Sequence, residues 1–85
     1  MEKLSKKEFL VLWSIEEGMD NLDSVYVSTG IEINELKKIF DKLENLKFVK
    51  VTRKFDNHYK KDYWQAETKD KAKLVYEKYK KWIPQ

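Results

Sequence analysis

Residues 28–68 read STGIEINELKKIFDKLENLKFVKVTRKFDNHYKKDYWQAET, and the order of elements along this stretch decides the fold. A short turn leads into one amphipathic helix, and two aromatic and β-branched strands follow around a lysine-rich tip. Leu36, Ile39, Phe40, Leu43 and Leu46 recur at three- and four-residue spacing, which predicts a helix over 34–46 with a single buried stripe. Its far side carries Asn34, Lys38, Asp41 and Asn45, flanked by Lys37 and Lys42. Val49 and Val51 then alternate with Lys50 and Thr52. Arg53 and Lys54 lead into Phe55-Asp56-Asn57-His58-Tyr59, read as a loop because Asp and Asn tolerate turn geometry. The chain returns over 60–67, where Trp64 and Ala66 share a pleat face opposite Tyr63 and Gln65. Val49, Val51, Trp64 and Ala66 are therefore expected to form the buried side of a two-stranded hairpin. A lone hairpin is marginal in water, so this one must pack on helices.

Those helices are readable on both sides. Ser5 with Glu8 fits a capping box, and Leu4 with Phe9 fits the hydrophobic staple around it, which marks the start of a first helix. That helix runs through the apolar residues 9–13 to Glu17, with Gly18 as its stop. Five consecutive apolar residues cover more than one face, so the helix is either central in the core or shared with a partner. Val11 and Ile15 stand on the side opposite Phe9 and Trp13, which favours a homodimer built from the first and last helices. A short helix over 21–27 follows, with Leu22, Val25 and Tyr26 inward. Ser28-Thr29-Gly30 makes the turn, Gly30 being the position best able to take positive φ. The last helix is expected from near Thr68, with Ala72, Val75, Tyr76, Tyr79, Trp82 and Ile83 on one stripe and Pro84 too late to break it.

With 85 residues, 41% hydrophobic and 14% aromatic, the chain can build one core, and no repeat or linker divides residues 1–85. The longest apolar run is five residues, far short of the roughly 18 that suggest a membrane span. No signal peptide is visible, so a cytoplasmic location without membrane attachment is expected. Zero cysteines exclude a disulfide framework and a thiolate metal site. Charge is divided unevenly. Residues 1–46 hold six Lys and ten acids, net −4, whereas residues 47–85 hold twelve Lys or Arg and five acids, net +7. Between Lys47 and Lys61 stand Lys47, Lys50, Arg53, Lys54, Lys60 and Lys61 against Asp56 alone. Such a patch attracts a polyanion, because neutralised phosphates release condensed counterions. A merely solvated hairpin is the competing explanation.

A helix followed directly by a basic hairpin resembles the winged helix-turn-helix DNA-binding proteins: the MarR-like and ArsR-like regulators and the small winged-helix proteins of archaea and their viruses. The resemblance spans nearly the whole chain. It rests on residues 25–31 as second helix and turn, on Leu36, Leu43 and Leu46 as inward leucines, on Phe48-Val49 before the wing, and on Thr68 opening the last helix. It implies an α+β, mainly helical fold of three helices, a two-stranded β wing and a C-terminal helix. It also implies a transcriptional regulator that binds double-stranded DNA without cofactor. Carried across, Asn34, Lys37, Lys38 and Lys42 would face DNA from the third helix, and Arg53, Lys54, Lys60 and Lys61 from the wing. Two departures stand out. Lys47 occupies the position where the family usually has glycine, and Glu32, Glu35 and Asp41 place acids on or beside the reading helix.

Other residues have simpler readings. His58, with no cysteine beside it, reads as a solvated loop residue, and Trp13, Trp64 and Trp82 read as core. Tyr59 and Tyr63 fall outside the buried pleat face, where they either touch sugar-phosphate or cover the sheet. Glu16 and Glu17 are adjacent and do not face each other on a helix, and two glycines cannot cradle a phosphate. Nothing assembles a nucleophile, base and oxyanion site, so the chain reads as non-enzymatic. Two further functions compete with sequence-specific regulation: a protein-interaction winged helix using Glu32, Glu35 and Asp41, and sequence-neutral coating of nucleic acid by the basic half.

Overall fold

The computed structural model describes residues 3–83; Pro84, expected to lie beyond the last helix, falls outside the described residues. Helix α1 (Lys6–Glu16) starts at a complete capping box: the Ser5 hydroxyl accepts from the Glu8 N–H at 3.1 Å, and the Glu8 carboxylate accepts from the Ser5 N–H at 2.9 Å. Leu4 and Phe9 are both buried, as the staple requires. The Leu4 N–H donates to the Tyr79 hydroxyl at 3.2 Å, which ties the start of the chain to its last elements.

Phe9, Val11, Leu12, Ser14 and Ile15 are all buried on α1. Val11 and Ile15, expected to face a second copy, are thus covered within one chain. The reason is position: α1 is packed on several sides at once, by α2, α3 and the hairpin. Apolar surface on two faces is what a central helix needs, so it gives no basis for a dimer.

Helix α2 (Leu22–Thr29) is capped by the Asn21 side chain, which accepts from the Ser24 N–H at 3.0 Å. It runs two residues further than 27, because Thr29 Oγ donates to the Val25 carbonyl at 2.7 Å and accepts from the Ile31 N–H at 3.2 Å. Gly30 then takes φ 74°, the left-handed conformation expected of it. Leu22 and Val25 point inward as expected, but Tyr26 is 44% exposed. It lies about 100° around the helix from Val25, beyond the width of the buried face.

Helix α3 (Ile33–Asn45) buries Leu36, Ile39, Phe40 and Leu43, with Leu46 half-buried just after it. It ends in a Schellman motif: the Phe48 N–H donates to the Leu43 carbonyl and the Lys47 N–H to the Glu44 carbonyl, both at 3.0 Å. Lys47 is the left-handed residue of that motif at φ 70°, a conformation that glycine takes at no steric cost. Lys71 Nζ donates to the Leu46 carbonyl at 2.9 Å and closes the same helix end.

Strands β1 (Val49–Asp56) and β2 (Lys61–Thr68) pair antiparallel, with Val51 opposite Ala66 and Arg53 opposite Trp64. Val49, Val51 and Ala66 are buried and Trp64 half-buried, the face the alternation predicts. Phe55 and Asp56, expected in the loop, belong to β1 instead. The reversal is confined to residues 57–60, because Asp56 Oδ1 accepts from the His58 and Tyr59 N–H groups at 2.8 and 3.2 Å and Lys60 turns the chain at φ 55°. A bridge between Asn21 and Gln65 adds the α1–α2 connection to the free edge of β2.

The last helix differs from its expected span. Thr68 pairs with Val49 at the end of the sheet, and the Lys69 N–H donates to the Phe48 carbonyl at 2.8 Å, so helix geometry cannot begin there. Helix α4 covers only Ala72–Lys78, followed by a 3₁₀ turn, Lys80–Trp82. Ala72, Val75 and Tyr79 are buried, while Tyr76, Trp82 and Ile83 are half-buried. Trp82 stacks on Tyr79 with ring centroids 4.6 Å apart and meets Phe9 edge-on at 6.0 Å. Phe9, Phe40 and Phe48 are the largest fully buried side chains of the shared core, each contributing about 1.5–3 kcal/mol by burial. No helix among the described residues is long and apolar enough to cross a membrane.

Candidate nucleic-acid interface

The stripe of α3 opposite its buried face carries Asn34, Lys38, Asp41 and Asn45, all exposed. One flank of this stripe is tied to α1. Lys42 meets Glu8 at 2.9 Å and Lys7 meets Glu35 at 3.2 Å. Burial alone would raise the Glu8 carboxyl, but the Ser5 N–H and the Lys42 ammonium outweigh it and hold it below the usual carboxylate range. The other flank is tied to the hairpin. Lys37 meets Asp62 at 2.6 Å, and Arg53 meets Asp41 at 2.5 Å and Glu44 at 2.8 Å.

Arg53 owes this position to the strand register. It lies on the inward pleat face beyond Val51, directly opposite Trp64, and its guanidinium sits 4.7 Å from the Trp64 ring centroid. The Lys37 ammonium lies 5.6 Å from the same ring. Hydrogen bonds from Arg53 and from the Val51 N–H keep the Glu44 carboxyl below its ordinary range, and the same carboxylates push the Arg53 guanidinium up. At the hairpin tip Lys61 meets Asp23 of α2 at 2.6 Å, and this partner raises the Lys61 pKa.

The eight nominated residues therefore divide into two sets. Lys37, Lys42, Arg53 and Lys61 are ion-paired and join α3 and the hairpin to their neighbours. Asn34, Lys38, Lys54 and Lys60 are exposed, and none of the three lysines makes an ion pair among the described residues. Lys50, outside the nominated set, shares the outer pleat face with Thr52 and Lys54 and is likewise exposed. The alternation that singled out Val49 and Val51 also identifies it. Phe55, expected in the loop, lies on the inward pleat face of β1 and is exposed. His58 is exposed and touches Tyr59 edge-on at 4.6 Å. No cluster of potential metal ligands is present among the described residues.

This surface offers two kinds of contact. An exposed polar helix of ordinary diameter fits a major groove about 12 Å wide, where amide side chains pair with base edges. Ammonium groups without an ion pair among the described residues, on an adjoining hairpin, are able to meet phosphates, which position without reading sequence.

A solved structure of BpsR from Bordetella bronchiseptica, described in terms of regulation of its DNA binding by 6-hydroxynicotinic acid, matches this chain with a TM-score of 0.72 at 17% sequence identity. The match covers 94% of this chain and 59% of that one, so the present chain spans about three-fifths of the length of the protein it resembles. The likeness fits the observed fold, four helices and a two-stranded antiparallel hairpin among the described residues, to that of a winged helix. No family model and no curated protein sequence matches the chain.

Proposed function

We propose that this chain is a DNA-binding transcriptional regulator that lays α3 in the major groove and the wing along the adjoining backbone. The observation that carries the reading is the uncovered polar stripe of α3 bordered by a wing whose Lys54 and Lys60 are exposed and make no ion pair among the described residues. The resemblance of the fold to a protein whose DNA binding is described supports it. In this reading Asn34 and Lys38 reach base edges, and Lys54 and Lys60 hold phosphates. Lys37, Lys42, Arg53 and Lys61 act first as ties that fix the wing relative to α3. They reach phosphate only by exchanging a carboxylate for it, an exchange of modest cost because exposed pairs are worth about 0–1 kcal/mol.

A protein-interaction role loses support from the same contacts. Of the three acids expected to meet a partner, Glu35 and Asp41 are satisfied by Lys7 and Arg53 of the same chain, and Glu32 is exposed just before α3. A two-fold dimer is the assembly that would set two α3 helices on successive major grooves, and the surface available for it is the outer side of α4, where Leu74 is 59% exposed. Footprinting on the DNA flanking its own gene tests specific binding. A protected, two-fold symmetric site supports the reading, and equal competition by unrelated DNA would leave only sequence-neutral coating.

A further inference from the structure

Beside α3 the wing does more than carry lysines. Between its inward face and the starts of α2 and α3 lies an open cleft of about 400 Å³, with Phe55, Leu22 and Ile33 among its walls and Lys60 and Lys61 at its rim. Phe55 lies past the last buried cross-strand pair, Val51 and Ala66, and is 56% exposed, so it closes no core. Its cross-strand partner is Asp62, already bound by Lys37, and Asp23 on the opposite wall is already bound by Lys61. Lys60 makes no ion pair among the described residues, and its left-handed backbone is part of a turn fixed by Asp56. The cleft thus combines a flat aromatic wall, an apolar floor and one unengaged ammonium, at the lower end of the volume range of sites that enclose a small molecule.

We infer that this cleft receives one unpaired nucleobase of the bound DNA, stacked on Phe55 with its phosphate on Lys60. The inference rests on the DNA-binding reading above. Stacking on an aromatic ring is tolerant of base identity, and a stacked base raises affinity by about tenfold or more. Extruding a base from an intact duplex consumes that gain, whereas a base that is already mismatched or bulged is extruded at little cost. The cleft therefore acts on DNA that carries an unpaired base and leaves a fully paired duplex to α3 and the outer wing. Asp23 and Asp62, both on its lining, are held by their lysines through Oδ2, so Oδ1 of each is placed to accept from an exocyclic amino group, which favours bases that carry one over thymine.

Fluorescence anisotropy with three labelled duplexes of one sequence tests this: fully paired, with a single-adenine bulge, and with an abasic bulge at the same place. The abasic bulge keeps the backbone flexibility and lacks only the base. The adenine bulge is expected to bind about tenfold tighter than the other two. Phe55→Ser is expected to remove that preference without weakening binding to the paired duplex, while Phe55→Tyr retains it. Circular dichroism checks that both variants fold. Equal binding of the adenine and abasic bulges, or a preference that survives Phe55→Ser, would overturn the assignment while leaving DNA binding intact. Failure to bind any of the three at low salt would overturn the DNA-binding reading and this inference together.

Discussion

Replacing Lys54 and Lys60 together by Gln separates the cations proposed to meet phosphate from those engaged in ion pairs within the chain. Neither lysine makes an ion pair among the described residues, so each is free to contribute one phosphate contact. At about 0.9 per contact, the slope of log affinity against log salt should fall by about 1.8 per protomer. Between about 50 and 200 mM salt, a slope smaller by that amount reduces the salt-induced loss of affinity about tenfold. The matched control is Lys42→Gln with Lys61→Gln. These lysines already neutralise Glu8 and Asp23, so their removal exposes a carboxylate but displaces few counterions. The control should lower affinity while changing the slope by less than about half a unit. Anisotropy titrations across a salt series on one duplex give both slopes. If the two double variants shift the slope equally, or neither does, the division into free and engaged cations is wrong.

Three further outcomes follow from named contacts. Lys47→Gly relieves a side chain held at φ 70° and should raise stability by about 1 kcal/mol, seen as a Tm higher by about 4–8 °C; an unchanged Tm would mean that the turn carries no strain. Glu8 and Glu44 have folded pKa values below their ordinary 4.5, so the stability they contribute is present above that value and is lost as pH falls through the lower folded values. Denaturant melts below about pH 4.5 should show this loss, and Glu8→Gln should flatten it; a variant that melts with the parent's pH dependence would clear Glu8 of the role. Asn34→Ala should cost about 1–3 kcal/mol on the preferred site and far less on random duplex, whereas equal losses on both would deny Asn34 a part in reading sequence.

What the sequence made legible was local. The capping box at Ser5 and Glu8 is satisfied within four residues, and the buried stripe of α3 is a repeat that any helix must bury. The pleat alternation separated Val49, Val51, Trp64 and Ala66 from their neighbours without knowledge of what covers them. The misreadings are places where distant partners decide. Periodicity on α1 measured its apolar surface, but that Val11 and Ile15 are covered by the same chain depends on α2, α3 and the hairpin arriving from elsewhere. The last helix is expected from near Thr68, yet the pairing of Thr68 with Val49 keeps it in β2. In the candidate site, residue type gave the cations and spacing could not give their partners. Lys61 and Asp23 are 38 positions apart, and Lys7 and Glu35 are 28 apart.

Those pairings also resolve the acids on the reading helix, which as bare sequence argue against DNA. A carboxylate near phosphate is repulsive only while its charge is unmatched. Asp41 and Glu44 are matched by Arg53, and Glu35 by Lys7, so the acids of α3 are spent on its two flanks. Arg53 is placed for this by the register, which sets it opposite Trp64 and beyond the end of the buried pleat. The ring beneath it excludes water from one side of the guanidinium and strengthens the pairing with both carboxylates. Lys37 repeats the arrangement with Asp62 over the same ring. Two ties through one tryptophan hold the wing at a set distance from α3, and Lys61 with Asp23 adds a third at the tip. In the proposed function, Lys54 and Lys60 would thereby be presented at a set spacing from Asn34 and Lys38 before DNA binds. On that reading, conformational freedom that binding would otherwise have to remove is already given up in folding, and the acids of α3 are the means by which it is done.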